Sequence, residues 1–97
     1  MYASIHTLHI KPGEAERFVQ QWGDFIEPSL NQLAGLMDLY LLFNADLHTA
    51  LLVTIYASEA DTNATQRSVP YQVLLEQLAD LLCDETIVSI GYAVIST

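Results

Sequence analysis

The sequence predicts an α+β fold, a four-stranded antiparallel sheet with two main helices on one face. Three observations predict it. Four segments read as strands and two longer ones as helices, in the order strand, helix, strand, strand, helix, strand. The strands are apolar on nearly every residue, as in Leu39-Tyr40-Leu41-Leu42-Phe43, Leu51-Leu52-Val53-Thr54-Ile55-Tyr56 and the run from Ile87 to Ile95. A sheet with one wet face alternates apolar and polar residues, so continuous runs imply two dry faces. The chain of 97 residues forms one domain, 1–97, and its hydrophobic fraction of 52% is above the usual range. Two helices cover one sheet face only. The other needs a cover, and the simplest is a second copy of the chain, giving a homodimer through the open sheet face. Such an interface also suits a domain this small, which buries only about two thirds of its unfolded surface.

The elements follow in order. The first strand spans about Tyr2 to Ile10, rich in Ile, Thr and Tyr, and stops at the turn signal Lys11-Pro12-Gly13. In the first helix Ala15, Phe18, Val19, Trp22, Phe25 or Ile26, Leu30 and Leu33 recur at helical spacing. Glu14 and Glu16 sit in its first turn, where carboxylates favour the positive end of the dipole. Pro28 either kinks this helix or begins a second segment, and Gly35 suits a C-terminal cap. Strands two and three form a hairpin around Asn44-Ala45-Asp46-Leu47-His48. Ser58 caps a short helix reaching about Gln66, and Pro70 fits the first turn of the second main helix. That helix buries Val73, Leu74, Gln77-Leu78, Leu81 and Leu82, and the fourth strand runs from about Thr86 to Ile95. This order is the split βαβ, or ferredoxin-like, arrangement.

Composition excludes several roles. The net charge is −9, with only Lys11, Arg17 and Arg67 positive, so the chain has no basic cluster for a phosphate backbone or an anionic membrane. No apolar run approaches the roughly 18 residues a membrane span needs. The start, Met1-Tyr2-Ala3-Ser4-Ile5-His6, lacks the basic region and apolar stretch of a signal peptide, so the expected location is cytoplasmic. Cys83, the single cysteine, has acidic neighbours and no basic activator, which predicts an inert thiol.

No phosphate-binding loop, Cys pair, His-Glu-x-x-His or Gly-x-Ser-x-Gly is present. His6 and His9 point to opposite faces of the first strand, which argues against a shared metal site, and no metal is expected. Tyr2, Ser4, His6 and Leu8 share one face. If that face lies under the helices, His6 stands in a mostly apolar pocket. A neutral imidazole there can take a proton from a phenol, and the alternative is a hydrogen-bonded core histidine. Tyr56 ends the third strand as either a pocket phenol or strand packing. Trp22 either lines the pocket or belongs to the core. Tyr71 opens the second main helix, where it is placed to gate a pocket mouth. Arg67 can hold an anionic substrate group or form a surface ion pair.

The chain resembles the antibiotic biosynthesis monooxygenase-type domains of the dimeric α/β-barrel superfamily over almost its whole length. The resemblance rests on Ile10-Lys11-Pro12-Gly13, Glu16-x-Phe18, Ile26-Glu27-Pro28-x-Leu30, Gly35, Tyr56-x-Ser58-x-x-Asp61 and Pro70-Tyr71. It implies a dimer whose two sheets pack face to face, and a ligand pocket between sheet and helices in each subunit. Well-studied monooxygenases of this type oxidise aromatic phenols with molecular oxygen and no metal or flavin cofactor. They commonly carry an Asn on the first strand and a Trp ending the third. Here His6 falls at or near the Asn position and Tyr56 takes the Trp position.

Two functions follow. One is a homodimeric, cofactor-independent monooxygenase-like enzyme for a small aromatic or apolar substrate, with His6 as base, Tyr56 beside it, and Trp22, Tyr71 and Arg67 contacting substrate. The alternative is a non-catalytic dimer of the same fold that binds a small ligand or serves assembly. A cavity walled by His6 favours the first, and a site filled by side chains favours the second.

Overall fold

The structure is a computed structural model and describes residues 1–31, 33, 35–83 and 88–96. Strand β1 (Tyr2–His9) leads into helix α1 (Ala15–Gln21), a π-helical turn (Trp22–Ile26) and helix α2 (Glu27–Leu30). Strands β2 (Leu36–Asn44) and β3 (Thr49–Tyr56) form the hairpin, followed by α3 (Glu59–Gln66), α4 (Val69–Ala79) and β4 (Val88–Ala93). The sheet order is β2-β3-β1-β4, and every neighbouring pair is antiparallel. The ferredoxin-like α+β class is therefore the observed one. The expected start of the fourth strand at Thr86 lies outside the described residues, as does the side chain of Phe25.

The first helix region carries its buried residues at intervals of four: Phe18, Trp22, Ile26 and Leu30. An α-helix drifts about 40° over each such step, so a long i, i+4 row slides off the core. The wider π turn at Trp22–Ile26 counters that drift. It also accommodates Pro28, which has no N–H to give to the carbonyl four residues back. Val19 and Val73, expected on buried stripes, are instead exposed, because each lies a step to the side of its core-facing row. The turns form where expected. Gly13 and Gly35 have φ of 82° and 84°, the left-handed region that glycine enters without Cβ strain. In the hairpin, Asn44 Oδ1 accepts the Leu47 N–H at 3.2 Å, and His48 adopts φ 49° while its carbonyl accepts the Ile10 N–H.

Register settles the two faces of the sheet. Ser4, His6 and Leu8 of β1 pair with Thr54, Leu52 and Ala50 of β3, and all six are buried. They lie under a core built from Phe18, Trp22, Ile26 and Leu30 together with Tyr71, Leu74 and Leu78 of α4. The other face carries Tyr40 and Leu42 from β2 and Val88, Ile90 and Tyr92 from β4, each at least 49% exposed, flanking half-buried Ile5, Val53 and Ile55. A compact monomer of this mass exposes about 5,500 Å2. This chain exposes 6007 Å2. The apolar open face is thus present in the single chain, uncovered by any of the described residues.

Candidate active site

Alternation along β1 aims Ser4 and His6 at the helices, and the N-terminus of α4 aims Tyr71 back at the sheet. Ser68 holds that N-terminus: its hydroxyl donates to the Thr65 carbonyl (2.6 Å) and accepts the Tyr71 N–H (3.4 Å). Pro70 follows the cap, where a missing N–H costs nothing. The Tyr71 hydroxyl meets His6 Nε2 in a hydrogen bond. The rings are tilted by 53° with centroids 6.0 Å apart, and both residues are 3% exposed. Among the described residues, His6 Nδ1 and the fully buried Tyr56 hydroxyl make no well-formed hydrogen bond. An orphaned buried polar atom costs about 1–3 kcal/mol, so one on His6 and one on Tyr56, the two residues linked to Tyr71, mark a site with unused bonding capacity.

Burial sets the electrostatics. Desolvation lowers the His6 pKa below its ordinary 6.5, against a weaker opposing effect of the Leu52 backbone, so the imidazole is neutral at pH 7. Burial raises the Tyr56 phenol, partly offset by Thr54. Burial raises the Tyr71 phenol strongly, and nearby Tyr56 adds to the rise. The site therefore holds three neutral groups, one a base and two phenols. If Tyr71 donates to Nε2, the imidazole proton sits on Nδ1.

A second polar row runs beside this one. Gln66 Nε2 donates to Ser4 Oγ at 3.0 Å, Ser4 Oγ shares a 3.0 Å bond with Ser89 Oγ, and Thr54 Oγ1 donates to the Ser4 carbonyl at 3.3 Å. Ser4 is readable from strand alternation. Gln66 and Ser89 are not, since they reach Ser4 across 62 and 85 residues of chain and no local pattern marks them.

The structure thus joins His6 to Tyr71 directly and sets Tyr56 near enough to Tyr71 to raise its phenol. Trp22 is 8% exposed in the core cluster that includes Tyr71, its ring stacked on Phe18 with centroids 6.5 Å apart. Arg67 is exposed at the C-cap of α3, outside the buried group. A cleft of about 500 Å3 lies outside α4, lined by Ser29, Leu33, Val69, Pro70, Val73, Leu74 and Gln77. Neither it nor an adjoining cleft of about 390 Å3 is lined by His6, where the Tyr71 side chain fills the space. Among the described residues no group of three or more His, Cys, Asp or Glu converges, and no helix is long and apolar enough to cross a membrane.

The family model for antibiotic biosynthesis monooxygenases (ABM) matches residues 1–77. The chain belongs to the ABM family. Solved structures agree with this ABM assignment at the level of fold. The NE2512 protein of unknown function from Nitrosomonas europaea is 19% identical, with TM-score 0.81 over 99% of this chain and 90% of that one. Rv0793 from Mycobacterium tuberculosis is also 19% identical, with TM-score 0.76 over 99% and 96%. A structure described as an antibiotic biosynthesis monooxygenase is 10% identical, with TM-score 0.78 over 99% and 100%. No curated protein sequence matches the chain. In this ABM chain all the residues of the buried group, from His6 to Tyr71, fall within the matched segment.

Proposed function

We propose that this ABM-family chain is a homodimeric, cofactor-independent monooxygenase-like enzyme. It acts on a small hydroxyaromatic substrate bound beneath the helices. The observation that carries this reading is a buried, neutral His6 already hydrogen-bonded to a phenol, with the Tyr56 hydroxyl unpaired beside Tyr71. His6 accepts the substrate's phenolic proton as electron density moves toward oxygen. The balance is phenol plus O2 giving quinone plus water: one oxygen atom enters the ring as a carbonyl, the other leaves as water with the two hydrogens lost.

Magnitudes assign the second role. An ordinary phenol titrates near 10 and an unperturbed imidazole near 6.5, so full proton transfer is uphill by about 5 kcal/mol, and more for a lowered His6. A hydrogen bond to the developing phenolate reduces that gap, because bonds to charged groups contribute about 1.5–3 kcal/mol. The Tyr56 hydroxyl is buried, and its proton has no acceptor among the described residues, which fits it for this duty. Trp22 supplies an apolar wall, and Arg67 meets any anionic substituent that extends to the surface. The subunits pair through the open sheet face, which supplies the apolar area a dimer core needs.

The test is a panel of phenols, naphthols and hydroxyquinones screened for thermal stabilisation and oxygen uptake, repeated on His6→Ala. Unchanged turnover in that variant removes His6 from the chemistry. A second reading, a non-catalytic ligand-binding or assembly dimer, is the one favoured by the criterion set from the sequence, since neither cleft is walled by His6 and the Tyr71 side chain occupies the space there; the enzyme reading requires Tyr71 to move. Stabilisation by a phenol without oxygen uptake favours this second reading.

A further inference from the structure

The phenol on His6 belongs to the protein itself. We propose that Tyr71 is a displaceable latch: its side chain holds the substrate's place on His6 Nε2, and binding requires the first turn of α4 to carry it away. This inference rests on the reading of the His6 site as a phenol site.

Three features support it. First, the contact between the Tyr71 hydroxyl and His6 Nε2 is the contact a phenolic substrate would make, so the two compete for one nitrogen. Second, the closed arrangement is imperfect. Among the described residues it leaves His6 Nδ1 and the Tyr56 hydroxyl without a well-formed hydrogen bond, with only the Leu52 backbone and the Thr54 side chain near them, and a permanent core tyrosine would be expected to leave its neighbours fully satisfied. A ligand that displaces Tyr71 and bonds Tyr56 recovers part of that loss. Third, the turn bearing Tyr71 is open on its outer side. Val69 is 75% exposed and the Ser68 cap bond to Tyr71 is long at 3.4 Å, while Ser68 itself stays tied to the Thr65 carbonyl at 2.6 Å and so sits where a hinge would pivot. The cleft outside that turn, lined by Val69, Pro70, Val73 and Leu33, gives the turn room to move. On this proposal the buried Tyr71 and the turn that carries it form a two-state element, with the cleft as the space into which the turn moves. A ligand that binds only the open state is weakened by the fraction of chains that are closed.

The experiment uses the full chain labelled with 3-fluorotyrosine, with 2-naphthol as probe. The Tyr71 fluorine resonance is assigned by its loss in Tyr71→Phe. On adding 2-naphthol to wild type, that resonance moves to the position of an exposed tyrosine. Tyr71→Phe keeps the ring and creates no cavity but loses the bond that closes the latch. It therefore binds 2-naphthol about five- to 150-fold tighter than wild type, the factor for a closed state that leaves one buried nitrogen unpaired. Binding with the Tyr71 resonance unmoved overturns the proposal, as does equal or weaker binding by Tyr71→Phe. Absence of binding to either protein at millimolar 2-naphthol overturns it too, since the tyrosine is then a fixed part of the core. Oxygen uptake is read separately. Displacement of Tyr71 without uptake supports the latch and contradicts the oxygenase reading.

Discussion

Breaking the His6–Tyr71 contact has a stability signature that can be worked out in advance. Tyr71→Phe removes the hydroxyl and leaves His6 Nε2 buried without a partner, at about 3% exposure. An unsatisfied buried group of this kind costs about 1–3 kcal/mol. For a chain of this size each kcal/mol moves Tm by about 4–8 °C, so the expected fall is roughly 4–24 °C. His6→Leu makes the mirror-image defect, an orphaned Tyr71 hydroxyl, with a similar cost. The double variant removes both polar atoms and leaves only ring-to-leucine repacking. Its loss is smaller than the sum of the singles, by a coupling of about 0.5–3 kcal/mol. The assay is thermal denaturation followed by circular dichroism at pH 8, where His6 is neutral in the folded and unfolded chain. Protein concentration is held constant because a dimer makes Tm concentration-dependent. Two single variants each costing under about 0.5 kcal/mol and adding without coupling would refute the claim that this bond organises the site.

Two further outcomes are expected. Since burial lowers the folded His6 pKa, the unfolded chain binds its proton first as pH falls, and stability decreases from pH 6.5 down to the folded value at up to about 1.4 kcal/mol per pH unit. The decrease is absent above pH 6.5, and denaturant melts of wild type and His6→Gln between pH 5 and 8 read it as a slope that the variant loses. On the open face, Ile90→Lys replaces a residue that is 49% exposed in the single chain, so the subunit keeps its fold while the paired face gains a charge in each copy. The association loses at least about 3 kcal/mol over the two copies, more than about a hundredfold in Kd. Sedimentation should give a two-chain mass for wild type at micromolar concentration and one chain for the variant, and a wild-type monomer would contradict the proposed pairing.

Much of the fold was legible because it follows from short-range rules. The period-two face of β1 put Ser4, His6 and Leu8 together, and the registers across β3 place that face beneath the core. Lys11-Pro12-Gly13, Gly35 and the Asn44–His48 hairpin announced their turns through residues whose backbone preferences are local. The π turn at Trp22–Ile26 was not legible, because Pro28 signals only that a helix is interrupted and the register shift depends on the core it must face. For the same reason Val19 and Val73 read as buried when they lie off the packed rows. In the site, sequence marked His6, Tyr56 and Tyr71 singly. Their convergence depends on the angle at which α4 crosses the sheet, which no spacing in the chain encodes. The same applies to Gln66 on Ser4, a contact spanning 62 residues.

Oxygen uptake tests the central claim most directly. Wild type and His6→Ala are compared on every hydroxyaromatic compound that raises the wild-type Tm, with quinone formation monitored alongside. Wild type should take up one O2 per quinone formed, and His6→Ala should lose about a hundredfold or more of that rate, the scale of a missing general base. Equal rates in the two proteins, or no uptake with any compound that binds, would contradict the claim.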